Sequence, residues 1–349
     1  MDISAKTSAI FITGNSRSGT SMVAKILGNN TSIYGFNELH FFEQVWYPEK
    51  EIKIISENEA VKLFSELISL QRQGFYADRT PEIYNDESTL FFETHKGFEY
   101  TAPAIFMEYL IYESQLHNKS VPCEQTPRNL FFTDEILSLY PNAKIVCMMR
   151  DPRDVLLSQK YKWKRKFLGH HAVPMKEVVR SWFNYHPVTI SKIWNACTEK
   201  ILSLNNNKNV YILNFEELIQ DGEGKIRDLC NFLNINYEET MLLIPVIGSS
   251  VVNDQRGKLG IDKKRTGNFV KGLTPTEILI CQKITKPFRK TFGYEDIQIK
   301  KNYFNLAIAW SSFPAKLFIA LLLNISRSKN LFSSIKRRVF SKPKAAEAS

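Results

Sequence analysis

A chain of 349 residues, 44% of them hydrophobic, can bury one sizeable core and is expected to form one large domain or two small ones. Its net charge of +10 sits at one end: residues 300–349 carry ten Lys or Arg against Glu347 alone, and residues 1–299 carry 36 basic against 35 acidic side chains, which argues against a nucleic-acid-binding surface on the body. Five cysteines, Cys123, Cys147, Cys197, Cys230 and Cys281, stand singly without C-x-x-C spacing, which argues against a disulfide framework or a zinc cluster and predicts a reducing, cytoplasmic setting.

The first predicted strand, Ala9–Thr13, begins too close to Met1 for a signal peptide or N-terminal anchor to be expected before it. It runs into GNSRSGTS, Gly14 to Ser21, and then a helix over Ser21–Leu27. Gly14 and Gly19 let the backbone curl with its N–H groups inward, and the new helix adds free amides and its positive dipole end. Arg17 brings a fixed charge, and Ser16, Ser18, Thr20 and Ser21 bring hydroxyls. A nucleoside triphosphate loop reads G-x-x-x-x-G-K-[ST]. Here Thr20 stands in the place of the lysine and the cation has moved to Arg17, so the loop is expected to hold a phosphate-like group without a γ-phosphate and without magnesium.

A second strand over Ser32–Phe36 ends on Asn37, Glu38, Leu39 and His40, at the carboxyl edge where parallel sheets bind ligands. Either Glu38 or His40 suits a general base, and a carboxylate capping the next helix fits equally well. Residues 41–120 are helical and aromatic-rich, with periodic apolar positions at Val61, Phe64, Leu67 and Ile68 and again at Ile105, Tyr109 and Tyr112. They are expected to wall an acceptor pocket, with His95 and Lys96 in a solvated turn. Val121–Glu124 reads as a third strand, Thr126 as the cap and Pro127 as the first turn of a helix reaching Tyr140.

Ala143–Met149 is an uninterrupted apolar strand of the parallel-sheet kind. Arg150, Asp151, Pro152, Arg153 and Asp154 follow, then a helix carrying Ser158. Arg150 at the strand end and Ser158 two turns into the helix can face one point, a second phosphate site. Asp151 and Asp154 fit helix N-terminal capping.

GNSRSGTS followed by RDPRDVLLS resembles the sulfotransferase family. The resemblance implies an α/β fold with a central parallel β-sheet flanked by helices, P-loop-like and akin to nucleotide kinases. It also implies 3′-phosphoadenosine 5′-phosphosulfate as donor, with no metal. In that reading Gly14, Asn15, Ser16, Arg17, Ser18, Gly19, Thr20 and Ser21 hold the 5′ end, and Arg150 and Ser158 hold the 3′-phosphate. Arg265, Thr266, Gly267, Asn268 and Phe269 resemble the family's late loop over the 3′-phosphate side. Asn209–Leu218 resembles its strand ending in Y-E-D-L, and Ile226, Leu229, Cys230 and Leu233 mark the amphipathic helix that follows. Leu273–Glu295, ending FGYE, resembles its terminal helix. The match covers about residues 8 to 296, so residues 1–299 are expected to be the sulfotransferase domain.

In the tyrosylprotein branch of the family the catalytic glutamate lies 21 residues after the loop arginine, and Arg17 to Glu38 has that separation. The resemblance therefore implies Glu38 as general base and Arg17 with the loop amides as stabilisers of developing charge, with His40 and Glu124 as alternative bases. Many relatives carry a lysine in an E-K-T-P stretch where this chain has Gln125 between Glu124 and Thr126. The missing cation falls to Arg17 or to a lysine such as Lys25 or Lys96. The K-[ST]-H histidine of the cytosolic branch has no counterpart either. The acceptor is expected to offer a hydroxyl or an amine, and carbohydrate, lipid headgroup, peptide tyrosine and small phenols all fit. An ATP-dependent, kinase-like phosphotransferase and a catalytically silent nucleotide-binding protein are the competing readings.

Residues 300–349 lie outside the resemblance and read as an apolar helix plus a basic tail. Tyr303–Ile325 is interrupted by Pro314 and Lys316 and followed by Arg327, Lys329, Lys336, Arg337, Arg338, Lys342 and Lys344. Its length suits a membrane span, while the interruptions and basic flank suit an interfacial helix drawn to anionic lipid. A helix packed on the domain is the third reading. Membrane association through residues 303–344, mostly peripheral, is the expectation.

Overall fold

Five short strands form the centre of the computed structural model, which describes residues 8–48, 52–168, 173–246 and 257–325. They are β1 (Ile10–Gly14), β2 (Ile33–Gly35), β3 (Val121–Gln125), β4 (Lys144–Met149) and β5 (Val210–Asn214). All pair in parallel in the order β2-β3-β1-β4-β5. The strand order reverses around β1, so the carboxyl ends of β1 and β4 open onto the crevice where such sheets bind ligands.

The central strands carry apolar side chains on both faces, and alternate residues feed two cores. Phe11, Ile145, Cys147 and Met149 enter the larger core, and Ile10, Ile12, Val146 and Met148 enter the smaller. The helices are α1 (Thr20–Gly28), α2 (Glu57–Arg72), α3 (Asn85–Thr94), α4 (Ala102–Leu116), α5 (Thr133–Leu139), α6 (Pro152–Lys160), α7 (Met175–Asn184), α8 (Pro187–Ser203), α9 (Phe215–Gln220), α10 (Gly222–Leu233), α11 (Phe269–Gly272), α12 (Pro275–Arg289) and α13 (Tyr303–Asn324). Through Val23, Ile26, Leu27, Leu218, Ile226 and Leu229, α1, α9 and α10 close the smaller core. Phe64, Phe91, Phe106, Leu156, Trp194 and Ile278 bring α2, α3, α4, α6, α8 and α12 to the larger one.

The helix expected from Pro127 to Tyr140 is in two parts, a 3-10 stretch over Pro127–Phe132 and then α5. Pro127 takes its expected first-turn place, but the Thr126 side chain does not cap. Its hydroxyl donates to Glu124 Oε1 at 2.5 Å instead, which leaves the first amides to the tighter 3-10 pattern. A 3-10 turn over Lys290–Phe292 follows α12 and closes on Gly293 (φ 72), and the hydroxyl of Tyr294 lies 2.8 Å from Asn214 Oδ1 and from Glu216 Oε2. The FGYE ending thus ties α12 to the carboxyl end of β5. All five cysteines are buried and free.

Candidate active site

The loop after β1 is shaped by close approach. A Cβ on Gly14 (φ 140) would stand 2.5 Å from the Met148 carbonyl oxygen of β4. One on Gly19 (φ 99) would stand 2.5 Å from the Phe215 ring. Between them Arg17 takes a left-handed φ of 77 without being glycine, a strained backbone of the sort found at ligand-binding turns. No side chain caps α1 at Gly19, so its leading amides and dipole face the crevice. The Asn15 Nδ2 and Ser18 Oγ atoms are buried with no hydrogen-bond partner among the described residues. Buried polar groups are normally satisfied, so this loop is built to receive acceptor atoms.

The second cluster joins it directly. Arg17 Nε donates to Ser158 Oγ at 3.0 Å. Arg150 donates through one terminal nitrogen to the Arg17 carbonyl (3.1 Å) and through the other to the Arg265 carbonyl (2.9 Å), and its Nε has no partner among the described residues. Its guanidinium lies 4.2 Å from the centre of the Phe215 ring. Asp151 caps α6 as expected, accepting from Arg153 N at 2.8 Å. Asp154 does not act as a cap. Its carboxylate accepts from Gly267 N (2.7 Å) and Phe269 N (3.0 Å), fastening the late loop over the carboxyl edge of the sheet. Asn268 Nδ2 donates to the Lys264 carbonyl at 2.7 Å, and Arg265 lies 3.7 Å from Asp262.

These groups enclose a cleft of about 540 Å³. Of the expected residues, Ser16, Arg17, Gly19, Thr20, Ser21, Glu38, Arg150, Ser158, Arg265 and Asn268 line it. Gly14, Asn15, Ser18, Thr266 and Gly267 belong to the same loops without lining it. Among the described residues six cations line it, Arg17, Lys25, Arg150, Arg165, Lys264 and Arg265, against three acids, Glu38, Asp154 and Asp262. Burial, together with Arg165, Arg150 and Arg265, pushes the Arg17 guanidinium down to about 9, with Glu38 opposing. Arg150 is also lowered, by burial first. Crowding cations in this way is unfavourable until an anion enters.

Glu38 lines the cleft, and His40, which does not, stands beside it. His40 Nε2 lies 3.4 Å from Glu38 Oε2, and the His40 backbone is left-handed (φ 50). Two bonds hold that turn: Leu39 N to Glu124 Oε1 and His40 N to Thr126 Oγ1, both 3.3 Å. Glu124 itself is buried and also accepts from Thr126 and, at 2.8 Å, from Asn129 Nδ2. Burial pushes it up to about 8, against those hydrogen bonds. It braces the Glu38 turn and does not face the cleft. Gln125 donates to Thr20 Oγ1 at 3.2 Å, so it braces the Gly14–Ser21 loop without adding charge to it.

The expected substitute cations divide. Lys25 lines the cleft, whereas Lys96 sits in the exposed turn after α3 and does not. Two residues of the 3-10 stretch Lys162–Leu168, which follows α6, were not singled out by the motifs. Arg165 lines the cleft, and Lys162 lies in the electrostatic reach of Arg17, Glu38, Arg128 and Arg165. Burial and then Arg17 push the Lys162 amine down to about 8. The run KYKWKRK after RDPRDVLLSQ was the available signal. Phe215, floor to both Gly19 and Arg150, was read only as part of a strand end. Among the described residues no group of three or more His, Cys, Asp or Glu could hold a metal ion.

A model of the sulfotransferase family matches residues 9–239, which takes in the loop at Gly14–Ser21, the Arg150–Ser158 segment and β5. The chain belongs to the sulfotransferase family. Sulfotransferase 2A1 of Homo sapiens is 29% identical over 42% of this chain and 53% of its own length. An uncharacterized protein of Aquifex aeolicus is 22% identical over 84% of the chain. The chain spans about a third of that relative's length and about half of the human enzyme's. The sulfotransferase domain of the Synechococcus PCC 7002 olefin synthase superposes with a TM-score of 0.51 at 18% identity, over 85% of this chain and 99% of that one, a likeness of fold. This sulfotransferase therefore has the family's parallel sheet and belongs to a family of transferases.

Proposed function

We propose that this sulfotransferase moves a sulfuryl group from 3′-phosphoadenosine 5′-phosphosulfate to a hydroxyl or amine of an acceptor, with Glu38 as general base. The observation that carries the reading is the union of two anion-holding clusters in one cleft, through the Arg17 to Ser158 bond and the Arg150 bonds to Arg17 and Arg265. The unpartnered Ser18 Oγ and Arg150 Nε, and the glycine cradle, fit a ligand with phosphate-like groups at both ends. When bound, that donor supplies a sulfuryl group on a phosphate leaving group, with charge spread over its equatorial oxygens.

The roles of the chain's own residues follow from their chemistry. The Gly14–Ser21 amides and hydroxyls orient the 5′ end, and Arg150, Ser158 and the Arg265–Asn268 loop hold the 3′-phosphate. Arg17 offsets negative charge at the leaving oxygen. Glu38 takes the acceptor's proton, with His40 and the Glu124 brace fixing its direction. A carbohydrate or glycolipid acceptor suits the rim formed by Glu38, His40 and the aromatic ring of Phe75, 4.6 Å from His40.

Thermal unfolding with adenosine 3′,5′-bisphosphate, compared with ADP plus magnesium, tests the donor. At 100 times its dissociation constant a ligand that binds only the folded state adds about 2.7 kcal/mol. The bisphosphate is expected to raise Tm and Arg150→Ala to abolish the rise. Stabilisation by ADP and magnesium alone would establish an ATP-using phosphotransferase instead, and no shift with either would refute nucleotide binding.

We assign to Lys162, which lies in the electrostatic reach of Arg17 and Glu38, the charge that Gln125 lacks. With its amine near 8 in the unliganded protein, the charge is present below that pH and lost above it, so kcat/KM is expected to fall as pH rises through about 8. Lys162→Arg, charged throughout, should carry that limb upward, and Lys162→Met should lower turnover by about tenfold and flatten it. An unmoved basic limb in both variants would remove Lys162 from the reaction.

A further inference from the structure

The helix α13 is inverted for a water-exposed helix. Its 22 residues contain a single charge, Lys316, and that charge faces inward. The Lys316 Nζ lies 3.5 Å from the Tyr185 carbonyl and 4.9 Å from the Trp182 ring centre. Further polar contacts run along the same inner face. His186 accepts from Val188 N at Nδ1, which leaves Nε2 to donate to the Ala309 carbonyl at 3.1 Å. Arg180 Nε donates to the Leu323 carbonyl and Asn324 Nδ2 to Asn184 Oδ1, each at 2.8 Å.

The outer face carries no charge and is mostly apolar. Phe304, Ile308, Phe318, Leu322 and Ile325 recur at heptad spacing, and each is at least half exposed, with Ser311 and Ala315 completing the stripe. Helix α7 packs across α13 and adds exposed Met175, Val179 and Trp182 at i, i+4 and i+7. Many exposed apolar side chains beside a single inward-turned charge are unfavourable in water and favourable in lipid. The helix is about 33 Å long and apolar enough to cross a bilayer. Yet bonds from α7, and from the residues leading into α8, reach it at Ala309, Lys316, Leu323 and Asn324. Threading it through a membrane would break all of them and carry the Lys316 charge into the bilayer.

We propose that the outer faces of α13 and α7 together seat the protein flat on an anionic membrane surface, with α13 in the plane of the interface. Charge complementarity favours lipid over a protein partner. The sequence beyond α13, outside the described residues, carries Arg327, Lys329, Lys336, Arg337, Arg338, Lys342 and Lys344 against Glu347, each cation adding attraction to acidic headgroups. Tyr303 and Trp310 on the exposed side suit the headgroup level.

Sedimentation of the full chain with vesicles of phosphatidylcholine alone, or mixed with phosphatidylglycerol, tests it. Wild type is expected to pellet with the mixed vesicles, to be released by alkaline carbonate, and to bind at least about tenfold less when Phe318→Asp and Leu322→Asp are combined. A thermal midpoint equal to wild type shows that the double variant is folded, because both side chains point away from the domain. Wild type left in the supernatant, or the variant pelleting equally, overturns the proposal. Retention after carbonate overturns the flat seat in favour of a span. A vesicle-independent dimer dissolved by the double variant gives the face to a second copy of the chain. None of these arms bears on the bisphosphate response, so the two readings can fail separately.

Discussion

Glu38→Gln is expected to lower kcat by about 100- to 10,000-fold while the Tm rise with adenosine 3′,5′-bisphosphate stays at the wild-type value. Glutamine keeps the size and a hydrogen-bonding oxygen but cannot take a proton. Glu38 lies at the cleft rim, 42% exposed in its side chain and 3.4 Å from His40 Nε2, so the substitution leaves no buried group unsatisfied. Its neighbours Leu39 and His40 are held by Glu124 and Thr126 through their backbone N–H groups, and these bonds survive. A steady-state assay with labelled donor, run beside the thermal shift, separates the two effects. Unchanged kcat with any accepted substrate would transfer the base to His40, and a lost thermal shift would make Glu38 a donor-binding residue.

Arg17→Ala is expected to cost about 100- to 1,000-fold in kcat and to weaken the bisphosphate as well. Arg17 stands at the meeting point of the two clusters, with its Nε on Ser158 and its carbonyl on Arg150. The backbone bond to Arg150 survives truncation, so the loop should keep its course. The left-handed φ of 77 is as unfavourable for alanine as for arginine, so the fold should lose little. The side chain's charge and its bond across to Ser158 are lost. Arg17→Lys restores the charge without the planar fork and should recover part of kcat. Full recovery would show that position in the fork is immaterial, and an unaffected kcat in Arg17→Ala would place the compensating cation at Lys162 or Arg165.

The parts of this protein legible in its sequence are those where one short segment carries its own physics. The apolar runs AIFIT and AKIVCMM announced buried strands, and the structure has them, one residue shifted or shortened, as β1 and β4. Gly14 and Gly19 marked a loop that tolerates no Cβ. The separations from Arg17 to Glu38 and from Arg150 to Ser158 carried candidate roles, and all four residues line one cleft. Composition located the charge at the carboxyl end and the apolar stretch before it.

What tertiary structure alone decided are pairings between distant segments. Arg17 and Ser158 are 141 residues apart and were read at opposite ends of a nucleotide, yet they share a hydrogen bond. Asp154 looked like a helix cap and instead fastens a loop more than 110 residues later. Glu124 had the chemistry of a base, and burial with three hydrogen-bonding neighbours made it a brace. Lys162 and Arg165 lay in an ordinary basic run until the turn after α6 carried them toward Glu38 and the cleft. The apolar helix did not say which side faces the domain, and contacts from Arg180, Asn184 and His186 settled it. Periodicity and composition are local properties of a chain, whereas hydrogen bonding, desolvation and the field at a side chain depend on what folding brings beside it.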